Sequence, residues 1–462
     1  MKPVPSLPEA VERELFDPRR FPVLGEPGRQ MLRWLRGHPQ APHYRNFSGH
    51  RLDAWQLQRA RWRHWRVGRA AMADRVGDEP PRWLQRFARQ AWREVPARSR
   101  SGALPPWHQI EPMQRADLGA RLEDYVPRTL QRQGLICFST SGTTGHPLRV
   151  PSHPLVAAEY LAYHRRALAL FGIAPRAGRG QVGIVLAGFQ QRCFSYVSVN
   201  PLMGECGLAK LNLAPHEWRQ ADDRAAYLDA LAPELVSGDP VSLAELAALP
   251  MAHRPRALLS TSMALADGLR ERLQSRFGCP VLDLYSMNEV GPIGVHHPEA
   301  RGFVLLQPWL HVEILDAQGR ALPEGEFGEV VVSGGFNFCL PLLRYRTGDH
   351  ARLVRTPLGL ALRDLQGRAP VRFRRSDGGW INNIEITQAL KPFELVRFAL
   401  HQQADGGFVL RVDSRQPLHA LVPALQQALA RPLGLPLPLT IEALPAGDKL
   451  RQYTSDLAQH AP

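Results

Sequence analysis

The chain has 462 residues, a formal net charge of +14, 44% hydrophobic and 22% charged residues, which excludes a disordered or fibrous chain and predicts two or three packed units. No apolar run is long enough for a membrane span, and residues 1–15 lack the apolar core of a signal peptide, so no secretory leader is expected. The five cysteines are scattered without a C-x-x-C pair, so a non-membrane protein of a reducing, cytoplasmic compartment is expected.

Residues 1–100 read as helices broken by proline and glycine. They hold 20 Arg and Lys2 against 10 acidic residues, a local charge of +11, together with six of the ten tryptophans. Around the run Arg59-Ala60-Arg61-Trp62-Arg63-His64-Trp65-Arg66, the residues Trp55, Trp62, Trp65 and Met72 recur at helical spacing, which predicts one face packed on a core. The alternative is a basic and aromatic surface for single-stranded nucleic acid, or for an acidic protein. After Ser139 short apolar runs (182–186, 281–284) alternate with helical stretches (154–171, 266–277), which argues for an α/β body with buried strands. Residues 300–365 are richer in strands, notably 311–315 and 328–332. From about 370 onward, 408–412 and the helical 417–430 suggest a small α+β domain, with the hinge at Gly367-Arg368-Ala369-Pro370. The expected fold class is therefore α/β: a large body of mixed sheets over 1–368, whose first hundred residues are helical and basic, and a small mobile α+β lid over 369–462.

Two patterns are set aside. Gly178-Arg179-Gly180-Gln181-Val182-Gly183 fits G-x-G-x-x-G but precedes an apolar run, whereas a dinucleotide fingerprint follows one. His296-His297-Pro298-Glu299-Ala300-Arg301-Gly302 approximates an acyl-transfer H-H-x-x-x-D-G, with Arg301 in place of the aspartate. The informative loop is Ser139-Thr140-Ser141-Gly142-Thr143-Thr144-Gly145, where five hydroxyls and two glycines follow the apolar 135–138. Such a loop offers converging N–H groups and movable hydroxyl donors to an anion, although a polar strand-to-helix turn has the same composition. Lysine occurs only at Lys2, Lys210, Lys391 and Lys449. Each is informative, because arginine does not replace a compact ammonium in a tight site.

The loop, with Tyr285-Ser286-Met287-Asn288-Glu289, the unbroken Tyr345-Arg346-Thr347-Gly348-Asp349, Gly367-Arg368 and Gly447-Asp448-Lys449 in order, resembles the adenylate-forming superfamily. The text is most similar to its phenylacetate–CoA ligase branch, including Ala91–Pro96 and Ser237–Leu243, and the resemblance runs from about 85 to 455. It implies ATP-dependent formation of an acyl-adenylate and transfer of the acyl group to the thiol of coenzyme A or of a carrier's phosphopantetheine. By that resemblance Thr140, Ser141, Gly142, Thr143, Thr144 and Gly145 would hold the β,γ-phosphates and Glu289 would ligate Mg²⁺. Tyr285 would stack on adenine, Asn288 would donate to the AMP phosphate, and Asp349 would accept from both ribose hydroxyls. Arg368 would reach the ribose or phosphate, and Lys449 would bridge the carboxylate and α-phosphate.

Phe189, Phe194 and Tyr196 would line the pocket for a small carboxylic acid of aryl or short apolar type. An acidic acyl carrier protein would suit the +11 segment; a nucleic-acid or membrane partner is not expected. Several positions depart from the family's pattern: Ser286 for glycine, Asn288 for Thr/Ser, Ser260-Thr261-Ser262 for a glycine-rich loop, and Ala369-Pro370 after the hinge arginine. They leave two alternatives, an adenylating enzyme with an amine or hydroxyl acceptor, and a non-catalytic relative that binds protein or nucleic acid.

Overall fold

The computed structural model describes residues 7–73, 80–99, 102–131, 133–139, 149–190, 193–367, 371–390, 392–434, 438–445 and 452–457. Helices open the chain as expected: Glu9–Leu15, Glu26–Gly37, Ala54–Arg69, Arg82–Glu94 and Pro96–Ser99. Ala54–Arg69 begins at a capping box, with Asp53 Oδ1 accepting from the Gln56 N–H at 2.8 Å and Gln56 Oε1 accepting from the Asp53 N–H at 3.1 Å.

The face this helix buries is not the predicted one. Leu57, Ala60 and Val67 are buried, whereas Trp55, Trp62 and Trp65 are 67%, 53% and 57% exposed. Both sets share the helical period, so spacing alone selects two opposite arcs. The arc of small side chains wins because it lies against the helix Pro154–Leu170, where the Arg63–Glu159 ion pair closes at 2.6 Å. Arg63 is thereby taken up in packing and is not free for a partner.

The body is built on a twelve-stranded sheet. Its strands Cys206–Asn212, Val182–Gly188, Leu235–Gly238, Ala257–Ser260 and Val281–Met287, adjacent in that order, are parallel, and Tyr196–Asn200 closes that edge antiparallel to Cys206–Asn212. Helices Asp223–Leu231, Pro240–Ala248 and Asp267–Phe277 lie between them in sequence, as crossover connections require. Beyond Val281–Met287 every neighbour is antiparallel: Gly291–His297, Gly302–Leu305, Gly359–Gln366, Leu342–Thr356, Phe327–Gly334 and Leu310–Leu315. Strand 281–287 is thus the seam between a parallel and an antiparallel half. A separate hairpin, Ile136–Ser139 with Arg149–Ser152, brackets the hydroxyl-rich loop.

The smaller C-terminal domain has a four-stranded sheet, ordered Leu439–Ala443, Phe408–Ser414, Leu395–Gln402, Tyr453–Ser455. Helices Asn383–Leu390 and Leu418–Leu433 accompany it, and it has its own core around Phe373, Leu400 and Leu425. It meets the body through Arg415–Glu245 at 2.8 Å and Arg272–Glu394 at 3.8 Å. Gly268 admits the Phe393 backbone, which a Cβ there would approach to 2.7 Å. The expected boundary at 368 falls on residues outside those described.

Asp283, inside the seam strand, is 7% exposed. Burial raises its pKa from 3.8 to about 7, opposed by Arg270 and reinforced by Asp267. A raised carboxylate pKa makes the folded state hold a proton that the unfolded chain has released, so this residue's contribution to stability declines as pH rises from about 4 to 7. Asp283→Asn is expected to melt above the wild type at about pH 8 and to lose that advantage near pH 5, as read by melting temperature across the range. A variant less stable at pH 8 would mean that the Arg270 contact outweighs desolvation.

Candidate active site

Strand Val281–Met287 carries Tyr285 to the seam, and the turn after it presents Asn288, exposed, and Glu289, 2% exposed. A buried carboxylate needs donors, since an unpaired one costs several kcal/mol. Tyr345 donates its hydroxyl to Glu289 Oε1 at 3.2 Å, and Arg115 Nη1 donates to the same oxygen at 3.2 Å. Oε2 is the oxygen these two donors leave.

Tyr345 and Asp349 lie on Leu342–Thr356 with Thr347 between them. Thr347 donates to the Val330 carbonyl at 2.8 Å and accepts from the Asp349 N–H at 3.0 Å, which fixes the backbone at Asp349. Asp349 Oδ2 in turn accepts from the Tyr285 hydroxyl at 2.6 Å. The pairing is crossed: each segment supplies one phenol and one carboxylate to the other. Burial, with Asp349 next, holds the Tyr285 phenol well above its ordinary pKa of 10. Burial and then Glu289 raise Tyr345 likewise, so both phenols stay protonated and donate.

The hydroxyl-rich loop is tied to this acid pair through its flank. Asn337 Nδ2 donates to the Glu289 carbonyl at 3.3 Å and to the Pro151 carbonyl at 3.2 Å, and Pro151 lies on the strand that follows the loop. On the other side, Gly367 sits beside Asp349; a Cβ there would lie 3.6 Å from Oδ1. The structure thus brings Tyr285, Asn288, Glu289 and Asp349 to one place, next to the flanks of the loop and of the hinge. Thr140, Ser141, Gly142, Thr143, Thr144, Gly145, Arg368 and Lys449 lie outside the described residues.

Of the expected acid-pocket residues, Phe194 (51% exposed) and Tyr196 meet edge to face at 5.5 Å, while Phe189 packs against the main core. Among the described residues no group of three or more His, Cys, Asp or Glu could hold a metal. A single carboxylate with a spare oxygen suits a cation such as Mg²⁺, which is ordinarily held by one or two carboxylates together with substrate phosphates.

No sequence motif marks Arg115 or Asn337, and the Tyr-Arg-Thr-Gly-Asp motif assigns Tyr345 no role. Arg115 is 174 positions from its partner, and no local pattern marks it. Gly291 carries a clearer sign. Its φ is +74°, and a Cβ would run into the Phe336 ring and come within 3.3 Å of Tyr160. Burial, then Glu289, raises Tyr160 to about 12. Gly291→Ala is expected to cost about 1–3 kcal/mol in denaturant unfolding and to weaken nucleotide affinity by displacing the turn at Glu289. Wild-type values for both would contradict the close packing.

Residues 131–338 match the family model described as AMP-binding enzyme. The phenylacetate-coenzyme A ligase of Pseudomonas putida is 35% identical over 92 residues, 19% of this chain and 21% of that protein. Protein CapK of Staphylococcus aureus is 22% identical over 148 residues, 30% of this chain and 31% of that protein. By sequence, the chain spans about a fifth to a third of the length of these relatives. A crystal structure of 2-hydroxyisobutyryl-CoA ligase in the postadenylation state, in complex with R3-HIB-AMP, superposes with a TM-score of 0.58 at 17% identity, over 87% of this chain and 90% of that one. Residues 131–338 are thus similar to an AMP-binding enzyme, and the chain shares the fold of 2-hydroxyisobutyryl-CoA ligase.

Proposed function

We propose that the protein is an AMP-forming acid–thiol ligase that activates a small aryl or short apolar carboxylic acid with ATP and passes it to a thiol. The observation that carries this reading is the crossed pair, Glu289 with Tyr345 and Asp349 with Tyr285, set beside the flanks of the hydroxyl-rich loop. In the first half-reaction the acid's carboxylate oxygen bonds to the α-phosphorus of ATP, and the bond to the β-phosphate oxygen breaks, releasing pyrophosphate. In the second the thiol sulfur bonds to the acyl carbon, the carbon–oxygen bond to AMP breaks, and the thiol proton is lost to solvent.

Each residue's part is the one that the resemblance to the adenylate-forming superfamily implies, and its chemistry suits that part. Asp349, already accepting one hydrogen bond, has lone pairs for both ribose hydroxyls. Thr140 to Gly145 would offer N–H and hydroxyl donors to the β,γ-phosphates. Glu289 would hold Mg²⁺ through a carboxylate oxygen, and the ion would supply positive charge against the phosphates. Lys449 stabilises the charge that gathers on the α-phosphate as the acid attacks. Tyr285 stacks on adenine, Asn288 and Arg368 donate to phosphate or ribose, and Phe189, Phe194 and Tyr196 bound the acid. The acceptor thiol belongs to coenzyme A or to a carrier's phosphopantetheine.

Acid-dependent pyrophosphate release, with ATP and Mg²⁺ over benzoates, phenylacetates, fatty acids and amino acids, tests the reading. One acid class is expected to respond. Lys449→Ala should lower its rate about 10²–10³-fold, and Asp349→Asn should raise the KM for ATP about tenfold. Silence across the panel, or full activity in Lys449→Ala, would overturn it.

A further inference from the structure

The exposed face of Ala54–Arg69 is not an ordinary solvated face. Trp55, Trp62 and Trp65 stand out of it, and each is followed four residues later by an arginine whose guanidinium lies over the indole: Arg59 on Trp55 at 5.4 Å, Arg66 on Trp62 at 5.5 Å, Arg69 on Trp65 at 5.0 Å. Arg66 also lies 3.9 Å over Trp309, so that it sits between two indoles. The helix holds five arginines and no acidic residue. Among the described residues Arg63 alone of the five is in an ion pair, with Glu159. Trp309 leads to a second basic row: its carbonyl and the Trp83 ring both crowd Gly334, and Trp83 lies on Arg82–Glu94, whose Arg82, Arg86, Arg89 and Arg93 are exposed.

We propose that this arginine–tryptophan face is a docking surface for an anionic lipid bilayer. Two rows of arginine give an attraction that adds up per charge near a negative surface. Indoles favour the zone between water and hydrocarbon, where one end is apolar and the other wet. The i,i+4 pairing joins the two properties, because a guanidinium covered by a π-face is partly shielded as it leaves bulk water. Single-stranded nucleic acid stacks its bases on aromatic faces; each indole here has one face covered by its own arginine and keeps the other, so the oligonucleotide is the competing outcome of the test. The interaction requires no spanning helix, and among the described residues none is long and apolar enough to be one. It also stands apart from the adenylation chemistry, since none of its residues lies in the acid pair.

The test is co-sedimentation of the full chain with vesicles of phosphatidylcholine alone, and with vesicles containing about a third phosphatidylglycerol. Polyglutamate and a single-stranded oligonucleotide serve as competing polyanions. The protein is expected to partition at least about tenfold more strongly onto the anionic vesicles, with the preference falling as salt rises. The triple variant Arg59→Glu, Arg66→Glu, Arg69→Glu should lose the preference. Trp55→Ser, Trp62→Ser, Trp65→Ser should weaken binding about tenfold. Both should keep the wild-type melting temperature and acid-dependent pyrophosphate release. Equal partition onto the two vesicle types by the wild type would overturn the proposal. So would undiminished binding by both variants, or capture by polyglutamate or the oligonucleotide alone with no vesicle binding.

Discussion

The structure depends on an exchange of hydrogen bonds between two segments that are distant in sequence. Tyr285 and Glu289 come from one, Tyr345 and Asp349 from the other, and each phenol serves the other segment's carboxylate. A hydroxyl donated to a charged acceptor contributes about 1.5–3 kcal/mol, and removal of one partner from a buried ionic group costs more than the bond itself. The arrangement therefore fixes the position of both acids while leaving each with spare lone pairs. Burial does the rest, by keeping both phenols protonated and so always donors.

The exchange is possible because of where the sheet changes character. Strand 281–287 pairs in parallel with Ala257–Ser260 and antiparallel with Gly291–His297. Its carboxyl end is therefore a discontinuity at which side chains converge and no further strand continues the pattern, the kind of place where open α/β sheets bind ligands. Asn337 extends the cluster to the strand leaving the hydroxyl-rich loop, and Gly367 extends it to the start of the hinge. One network thus joins the 285–289 and 345–349 segments to the strand after the hydroxyl-rich loop and to Gly367.

Much of this was legible in the residues. The alternation of apolar runs and helices after Ser139 foretold the parallel half, and the strands at 311–315, 328–332 and 408–412 fall where the patterns put them. Tyr285, Asn288, Glu289 and Asp349 were visible because each lies in a short contiguous motif. Arg115 and Asn337 were not, since their significance is a contact made only on folding. The helix at Ala54–Arg69 misled for a physical reason: periodicity reports that two arcs exist, and which one is buried depends on the neighbour. Here the neighbour, the helix Pro154–Leu170, covers Leu57, Ala60 and Val67 and leaves the three indoles outside. The tryptophans that looked like core are the surface on which the lipid proposal rests.

In the proposed chemistry, Asp349, held by Tyr285, accepts the two ribose hydroxyls. Calorimetric titration of the wild type and of Asp349→Asn with ATP and with 2′,3′-dideoxy-ATP, both with Mg²⁺, measures this directly. The wild type should bind ATP about tenfold or more tightly than the dideoxy nucleotide, a difference of about 1.4 kcal/mol, and the variant should show little preference. Equal affinity of the wild type for the two nucleotides would contradict the account.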